Sequence, residues 1–375
     1  MKLITNSTDL KTALDHLKYA VSTRATMPII ENVLLTVDKE AVTLTATDLN
    51  ITISATCKLE APCKNANGEK LLLPYNKLKE ILSLFGTEPV TIAFGAGQTT
   101  ELTFEDSKFN LGLSEDVTDF PKTPEVPETC FALETIVLQH IQRAALTAST
   151  DELRPAMKCV CIELSKHQAV VVATDAHQLY KSEIQLSAPI PVEGTQELLL
   201  PVAATKALKN LDGNLTLGYN TQHVCIGAGN VTIWVRMVDA KFPAYREILK
   251  TASNEPNLGV YMADFALAVG KAFIFSNPTT HNVRLKPAKE TLKLITENAE
   301  TGQGACVSID CSAEEGIVSA ISFNGKLLLR MVDMLHQKGV HTDINVFIES
   351  ANKAAIFKTE AEPETLVLIM PLMID

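Results

Sequence analysis

An α+β fold of three similar domains, each with two helices on antiparallel sheet, is predicted by three features. These are a domain-sized internal repeat, paired amphipathic runs within each copy, and short alternating apolar runs between them. The repeat comes first. Leu71-Leu72-Leu73-Pro74 returns as Leu198-Leu199-Leu200-Pro201 and Ala46-Thr47-Asp48 as Ala173-Thr174-Asp175, each 127 residues later. Phe120-Pro121 returns as Phe242-Pro243 after 122 residues, with Asp119 and Asp239 ahead of them. The third copy is fainter: Asn324-Gly325-Lys326-Leu327 echoes Asn76-Lys77-Leu78 about 249 residues on, and Leu294-Ile295-Thr296-Glu297 falls where the Ala-Thr-Asp strand end should return. A chain of 375 residues is too long for one ordinary core. The run 121–127, with three prolines, and the run 251–257 read as linkers. Domains are therefore expected at 1–124, 125–253 and 254–375.

Each copy should carry a first helix, at 8–22, 133–149 and 262–277, and a second, at 74–86, 201–213 and 325–337. In the first of these, Leu10, Ala13, Leu14, Leu17 and Val21 recur at helical spacing, with Ser7 or Thr8 as N-cap. Pro74 and Pro201 suit a first helical turn and Gly86 and Gly213 a stop. Between the helices, 32–55 and 214–238 alternate apolar and polar residues with turn signals, which predicts antiparallel strands.

Hydrophobic residues at 46% and charged residues at 21% describe a water-soluble globular chain. Met1–Asn6 has no apolar signal core and no run is long enough to span a bilayer, so no membrane association and a cytoplasmic location are expected. Eight scattered cysteines form no C-x-x-C pair; Cys159 and Cys161 should share a strand face as reduced, buried thiols.

A net charge of −11 argues against a simple basic nucleic-acid binder. The charge is segregated, however. The six helices carry a net +3, leaving −14 for the remainder. If the helices line a cavity and sheets form the outside, phosphates are accepted within and repelled elsewhere; lysines placed for solubility give the same count.

The motifs Arg24-Ala25-Thr26-Met27-Pro28-Ile29, Thr47-Asp48-Leu49 and Asp119-Phe120-Pro121 resemble the first domain of the bacterial DNA polymerase III beta subunits, the sliding clamps. Ala173-Thr174-Asp175-Ala176-His177-Gln178-Leu179 and Val238-Asp239-Ala240-Lys241-Phe242-Pro243-Ala244-Tyr245-Arg246 resemble the second. Phe275-Ser276-Asn277 and Met370-Pro371-Leu372 resemble the third. The resemblance implies a head-to-tail homodimer closing as a six-domain ring around duplex DNA, a processivity factor that is not an enzyme. Arg24 matches a family DNA contact; helix placement adds Lys77, Lys79, Arg143, Lys206, Lys209, Lys326 and Arg330. The family also implies a hydrophobic pocket for short peptide motifs of the polymerase III catalytic subunit, the clamp loader and repair polymerases. By motif it includes Thr174, Ala176, His177, Leu179, Pro243, Arg246, Leu368, Met370, Pro371 and Leu372, with Met157 beside them. The family often has Gly at Ala176 and Arg at Gln178 and Met373, so a less basic pocket is expected. The dimer contact is expected to join Phe109 and Leu111, on an edge strand, to Ile274 and Phe275.

No catalytic residue, cofactor or metal is expected. Gly95-Ala96-Gly97 and Gly227-Ala228-Gly229 lack the remainder of a phosphate loop and read as hairpin turns. His16, His140 and His336 read as helix-surface residues. The rival readings are an enzyme with its site around Asp175, His177 and Arg246, which lacks a nucleophile motif, and a peptide scaffold that does not bind DNA.

Overall fold

The structure, a computed structural model, describes residues 1–22, 27–63, 66–94, 99–112, 116–209, 211, 213–250, 255–298, 300–336 and 339–373. Arg24, the Gly95–Gly97 element, Asp212 and the first half of the second linker lie outside the described residues.

The first third of the chain runs β1 (Lys2–Asn6), α1 (Ser7–Leu17), β2 (Asn32–Val37), β3 (Ala41–Thr47), β4 (Ile51–Lys58), β5 (Glu69–Pro74), α2 (Tyr75–Ser83), β6 (Pro89–Phe94), β7 (Thr99–Phe104) and β8 (Ser107–Gly112). The second repeats that order: β9 (Cys130–Leu133), α3 (Thr135–Ala144), β10 (Cys159–Ser165), β11 (Gln168–Thr174), β12 (Gln178–Gln185), β13 (Gln196–Pro201), α4 (Val202–Leu208), β14 (Leu215–Tyr219), β15 (His223–Ala228), β16 (Val231–Arg236), then an unforeseen short helix α5 (Tyr245–Lys250). The third follows as β17 (Leu258–Tyr261), α6 (Met262–Phe273), β18 (Asn282–Pro287), β19 (Thr291–Asn298), β20 (Gln303–Asp310), a two-residue β21 (Ser312–Ala313), β22 (Ile321–Asn324), α7 (Gly325–Leu335), β23 (Asp343–Phe347), β24 (Ala355–Thr359) and β25 (Glu362–Ile369). The thrice-repeated element order bears out the predicted α+β class.

The repeated Ala-Thr-Asp motif is a turn whose side chains satisfy its own backbone. In the first copy the Thr47 hydroxyl donates to Ile51 O at 3.2 Å and accepts from the Leu49 amide at 3.1 Å, while Asp48 Oδ1 accepts the Asn50 and Ile51 amides at 2.9 and 2.7 Å. In the second, Thr174 donates to Gln178 O at 2.7 Å and accepts from Ala176 at 3.2 Å, and Asp175 Oδ1 accepts His177 and Gln178 at 2.9 and 2.8 Å. Leu49 and Ala176 both take left-handed backbone, φ 73° and 76°. The third copy turns differently, through Asn298, whose side chain accepts the Glu300 amide at 3.1 Å. That explains the faint motif there.

Helix ends differ from expectation at both termini. Asn6, not Ser7 or Thr8, caps α1 by accepting the Thr8 amide at 2.8 Å. Pro74 ends β5 opposite Asn32 and is the N-cap of α2, with an extended ψ of 115°; Pro201 ends β13 opposite Cys159. A last strand position opposite an edge costs proline no ladder bond. The helices stop before Gly86, Gly213 and Val21 because their last turns tighten into bonds from residue i to i−3, as from Leu84 to Ile81 and from Phe275 to Ala272.

Two compact units result. The first comprises Met1–Thr135 and Ala203–Met237, the second Ile136–Val202 and Val238–Asp375, so the middle copy contributes to both. In the first, α1 lays Leu10, Ala13, Leu14 and Leu17 on β3 and β4 of the eight-stranded sheet β5-β2-β3-β4-β16-β15-β14-β9. A four-stranded sheet β1-β6-β7-β8 completes that unit. The second holds the nine-stranded sheet β13-β10-β11-β12-β25-β24-β23-β17-β21 and a four-stranded sheet β20-β19-β18-β22, with α6 on the latter and against α7. Cys159 and Cys161 share one wholly buried face, as expected.

The sheet edges are unequal. β1 is met by Glu60, whose amide donates to Ile4 O, and β22 by Leu372, whose amide donates to Ser322 O at 2.8 Å. Among the described residues, no hydrogen bond from another element reaches the outer edge of β8 or β20.

Candidate peptide groove and cation-bearing helices

The groove is built where β12 begins and β25 ends. Gln178 pairs with Ile369 and Leu179 with Leu368, so the Thr174–Gln178 turn and the segment after Ile369 meet at one sheet end. The Met370 amide donates to His177 O at 2.8 Å and fixes that junction. Beneath it Leu179 and Leu368 join Cys159, Cys161, Leu366 and Leu199 in one buried cluster. Phe242 and Tyr245 enter the same cluster and anchor the segment that carries Pro243 and Arg246.

Of the residues expected to form the pocket, Thr174, Leu179 and Leu368 are buried, Ala176, His177 and Met370 are exposed, and Met157, Pro243, Pro371 and Leu372 are half-buried. Arg246 is exposed, but its guanidinium pairs with the buried Glu163, which also accepts the Tyr245 hydroxyl at 3.0 Å. That interaction raises the Arg246 pKa, and burial raises that of Tyr245, so both keep their protons. Glu163, Cys161 and Glu197 place donor atoms within 4.8 Å of one another. The carboxylate is already satisfied, and burial pushes the Cys161 thiol far up, so the trio is a poor cation site.

Gln178 bears differently on the groove than expected. Its side chain is buried, not presented, and donates to Asp175 Oδ2 at 3.0 Å, leaving Oε1 without a partner. Beside His177 lies an open cavity of about 650 Å³. Its wall includes Asp151, Arg154, Asp175, Val202 and Arg330, of which Asp175 and Arg330 were singled out by sequence, Asp175 in the repeated motif and the rival enzyme reading and Arg330 as a phosphate contact.

The helix cations divide. Lys79, Lys206, Lys209, Lys326 and Arg330 are exposed, and so is Lys77, which pairs with Glu80 at 2.8 Å on its own helix. Arg143 is a correction. Its Nη1 donates to Glu362 Oε2 at 2.6 Å with both side chains under one-fifth exposed, so its charge is neutralised in place. His140 is a second. It is buried, with Nδ1 2.6 Å from the Tyr180 hydroxyl, and burial lowers its pKa to about 4. Its neighbours on α3 explain this: Val137, Ile141 and Ala144 are buried at helical spacing from it. His16 is half-buried, and His336 is exposed.

Of the dimer candidates, Ile274 is 75% and Phe275 42% exposed, just past α6. Leu111 is buried. Phe109 lies edge-on to Phe85 and Phe104, themselves stacked at 4.0 Å. Sequence reasoning found β8 but missed β20, whose alternation is masked by Gly304, Ala305 and Cys306.

A thrice-repeated α+β chain whose two four-stranded sheets each leave an outer edge open among the described residues, with a candidate groove at a strand junction, has the architecture of a clamp-type protein. The chain matches the family models for the DNA polymerase III beta subunit, N-terminal domain, over residues 1–124 and central domain over residues 133–244. It therefore belongs to the DNA polymerase III beta subunit family. Curated relatives include the beta sliding clamps of Pseudomonas putida, 24% identical over 94% of each chain, and Staphylococcus epidermidis, 26% identical over 94% of each. Among solved structures, the DNA polymerase III subunit beta of Pseudomonas aeruginosa superposes with a TM-score of 0.89 at 22% identity, and the DNA polymerase sliding clamp of Bacillus subtilis with 0.88 at 21%, each over 100% of both chains. A Pseudomonas aeruginosa clamp bound to griselimycin fits equally well, with a TM-score of 0.89.

Proposed function

We propose that this chain is a processivity clamp: two copies close head to tail into a ring around duplex DNA and tether polymerases through the groove. The observation that carries the reading is the pair of open edges. β8 and β20 leave their ladders unpaired, and each bears a single charge, Lys108 and Asp310. Natural edges left in water are usually guarded by charge, proline or bulges. Pairing β8 of one copy with β20 of the next consumes both, and a heterologous contact that closes makes a ring. Phe109 and Leu111 then face Ile274 and Phe275.

The three-domain division at 1–124, 125–253 and 254–375 follows the repeated element order. Lys77, Lys79, Lys206, Lys209 and Lys326 meet phosphates, which carry no sequence information and so permit sliding. Arg24 joins them by family resemblance. The groove takes an extended peptide by its apolar anchors, with Met157 and Met370 adapting to different partners; the catalytic subunit of polymerase III, the clamp loader and repair polymerases are the partners proposed. No catalysis is proposed, and the ring works in the cytoplasm. No helix is long and apolar enough to cross a membrane.

The test is topological. The protein is loaded by a clamp loader on nicked circular DNA, and the circle is then linearised. Release on linearisation is expected; equal retention on circle and line overturns encirclement.

A further inference from the structure

We propose that the seam between β12 and β25 is the joint at which this chain flexes, parting reversibly while its repeat, the seam between β4 and β16, stays closed. The reading needs neither DNA nor a ring.

The two seams have like backbones, so the difference lies in their side chains. Each is an antiparallel ladder of five residue pairs, 178–182 on 365–369 and 51–55 on 231–235. Each has a further amide bond of 2.8 Å at one end, Met370 to His177 O and Arg236 to Asn50 O. On the face toward α1, where the Cys57 thiol donates to Asp9 O, the first seam is aliphatic. It pairs Ile51 with Val235, Ile53 with Ile233 and Ala55 with Val231, all buried. The same positions in the second seam pair Gln178 with Ile369, Tyr180 with Val367 and Ser182 with Thr365, equally buried. The Ser182 and Thr365 hydroxyls bond at 2.9 Å, Tyr180 meets His140 of α3, and Arg143 of α3 reaches across to Glu362. Gln178 Oε1 has no partner among the described residues.

Opening therefore costs the two seams differently. Parting the first exposes branched aliphatic surface, which water penalises in proportion to its area. Parting the second exchanges protein hydrogen bonds for bonds to water, a nearly even trade. Hydration also repays the burial of the Arg143–Glu362 pair and gives Gln178 Oε1 a donor. The far ends act in the same direction. In the first seam the Thr56 amide donates to Asn230 O at 2.9 Å and the Asn230 side chain to Thr56 O at 2.8 Å. The far end of the second is held through the side chains of Ser182, Thr365, Arg143 and Glu362. Acid sharpens the contrast. The groups that face His140 are Tyr180 from β12, Glu362 from β25 and Arg143 on α3 itself. The closed seam keeps the imidazole neutral down to about pH 4, whereas in water it returns toward its ordinary value of 6.5. Protons thus favour the open seam.

The test is native-state hydrogen exchange on the full chain, read at the amides bonded across each seam at pH 7 and pH 5 and corrected for the intrinsic pH dependence of exchange. At pH 7 the second seam should exchange about tenfold faster than the first, and at pH 5 that ratio should widen by about tenfold more. His140→Gln should keep the ratio at pH 7 and remove the widening. Ser182→Ala with Thr365→Val installs the pair that the first seam has at Ala55 and Val231, and should slow the second seam by about threefold or more. Equal or slower exchange of the second seam in the wild type at pH 7 overturns the proposal without any variant having to fold. A ratio that fails to widen in acid overturns it too, as does unchanged or faster exchange in the double variant.

Discussion

The turn after β3 and the turn after β11 have the same hydrogen bonds and nearly the same backbone, and each receives an amide at another strand's end, Arg236 on Asn50 O and Met370 on His177 O, both at 2.8 Å, yet only the second adjoins the candidate groove. Thr47-Asp48-Leu49 closes a hairpin, and the next residue, Asn50, receives the amide of the exposed Arg236. Thr174-Asp175-Ala176 closes the same hairpin, and then His177 O receives the Met370 amide and the groove forms beside it. The repeat therefore copies the turn and its long-range bond alike, while the difference lies in the side chains that the arriving strand brings, Met370, Pro371 and Leu372 to the second turn and Arg236 to the first. The cores beneath the two turns differ in the same sense. Tyr180 is fully buried and bonded to His140, whereas the residue 127 positions before it is the apolar, fully buried Ile53. The second copy thus holds a polar, titratable pair at a position where the first has an aliphatic side chain.

That difference predicts the largest effect, a pH dependence set by His140 in the second copy. His140 has a folded pKa of about 4, pulled below the ordinary histidine value of 6.5 first by burial and also by Arg143, with Glu362 opposing. Between those values the unfolded chain takes up a proton that the folded chain refuses. Stability is thus complete above about pH 6.5 and lost as pH falls toward 4, by about 3 kcal/mol in all. His140→Gln keeps a partner for Tyr180 and removes the titration. Its unfolding midpoint should drop less than that of the wild type between pH 7 and 4.5. Parallel losses would show that other groups dominate.

Breaking the turns comes next. Asp175→Ala removes one acceptor of three N–H groups, and Asp48→Ala removes an acceptor of two. Each should cost about 2 kcal/mol, seen as a lower denaturant midpoint. Only Asp175→Ala should also weaken peptide binding, by tenfold or more, because only its turn borders the groove. Equal peptide affinity in both variants would sever the turn from the groove.

Much of this was legible because it is local. Repeated motifs, turn chemistry and apolar periodicity gave the element order and the β8 edge, and the family resemblance supplied the candidate residues of the groove. What stayed hidden depended on partners far along the chain. Arg143 looked like any helix cation until Glu362, 219 positions away, paired with it. His140 was misjudged for a different reason: its spacing from Val137, Ile141 and Ala144 already placed it on the buried face, but an imidazole there has to find a hydroxyl, and Tyr180 was not predictable as that partner. Arg330 belongs with these, since the cavity it lines is assembled from residues 145–154, the β11–β12 turn, the start of α4 and α7.

The smallest effect sharpens the comparison most. Leu49 and Ala176 both hold φ above 70° without being glycine, a conformation that crowds Cβ against its own backbone and costs about 1 kcal/mol or more. Glycine removes that strain but adds chain entropy to the unfolded state, so the net gain is small. Ala176→Gly should stabilise by about 0.5 kcal/mol. Leu49→Gly should gain less, because a half-exposed leucine also surrenders its buried surface. The functional readouts should diverge as well. Leu49→Gly should leave peptide affinity unchanged. Ala176→Gly removes an exposed methyl from the groove rim next to His177, so it should change the relative affinities for peptides with bulky and small residues at that position. If both glycine variants behaved alike in peptide binding, the rim would be formed without residue 176, and the two turns would differ only in what lands on them.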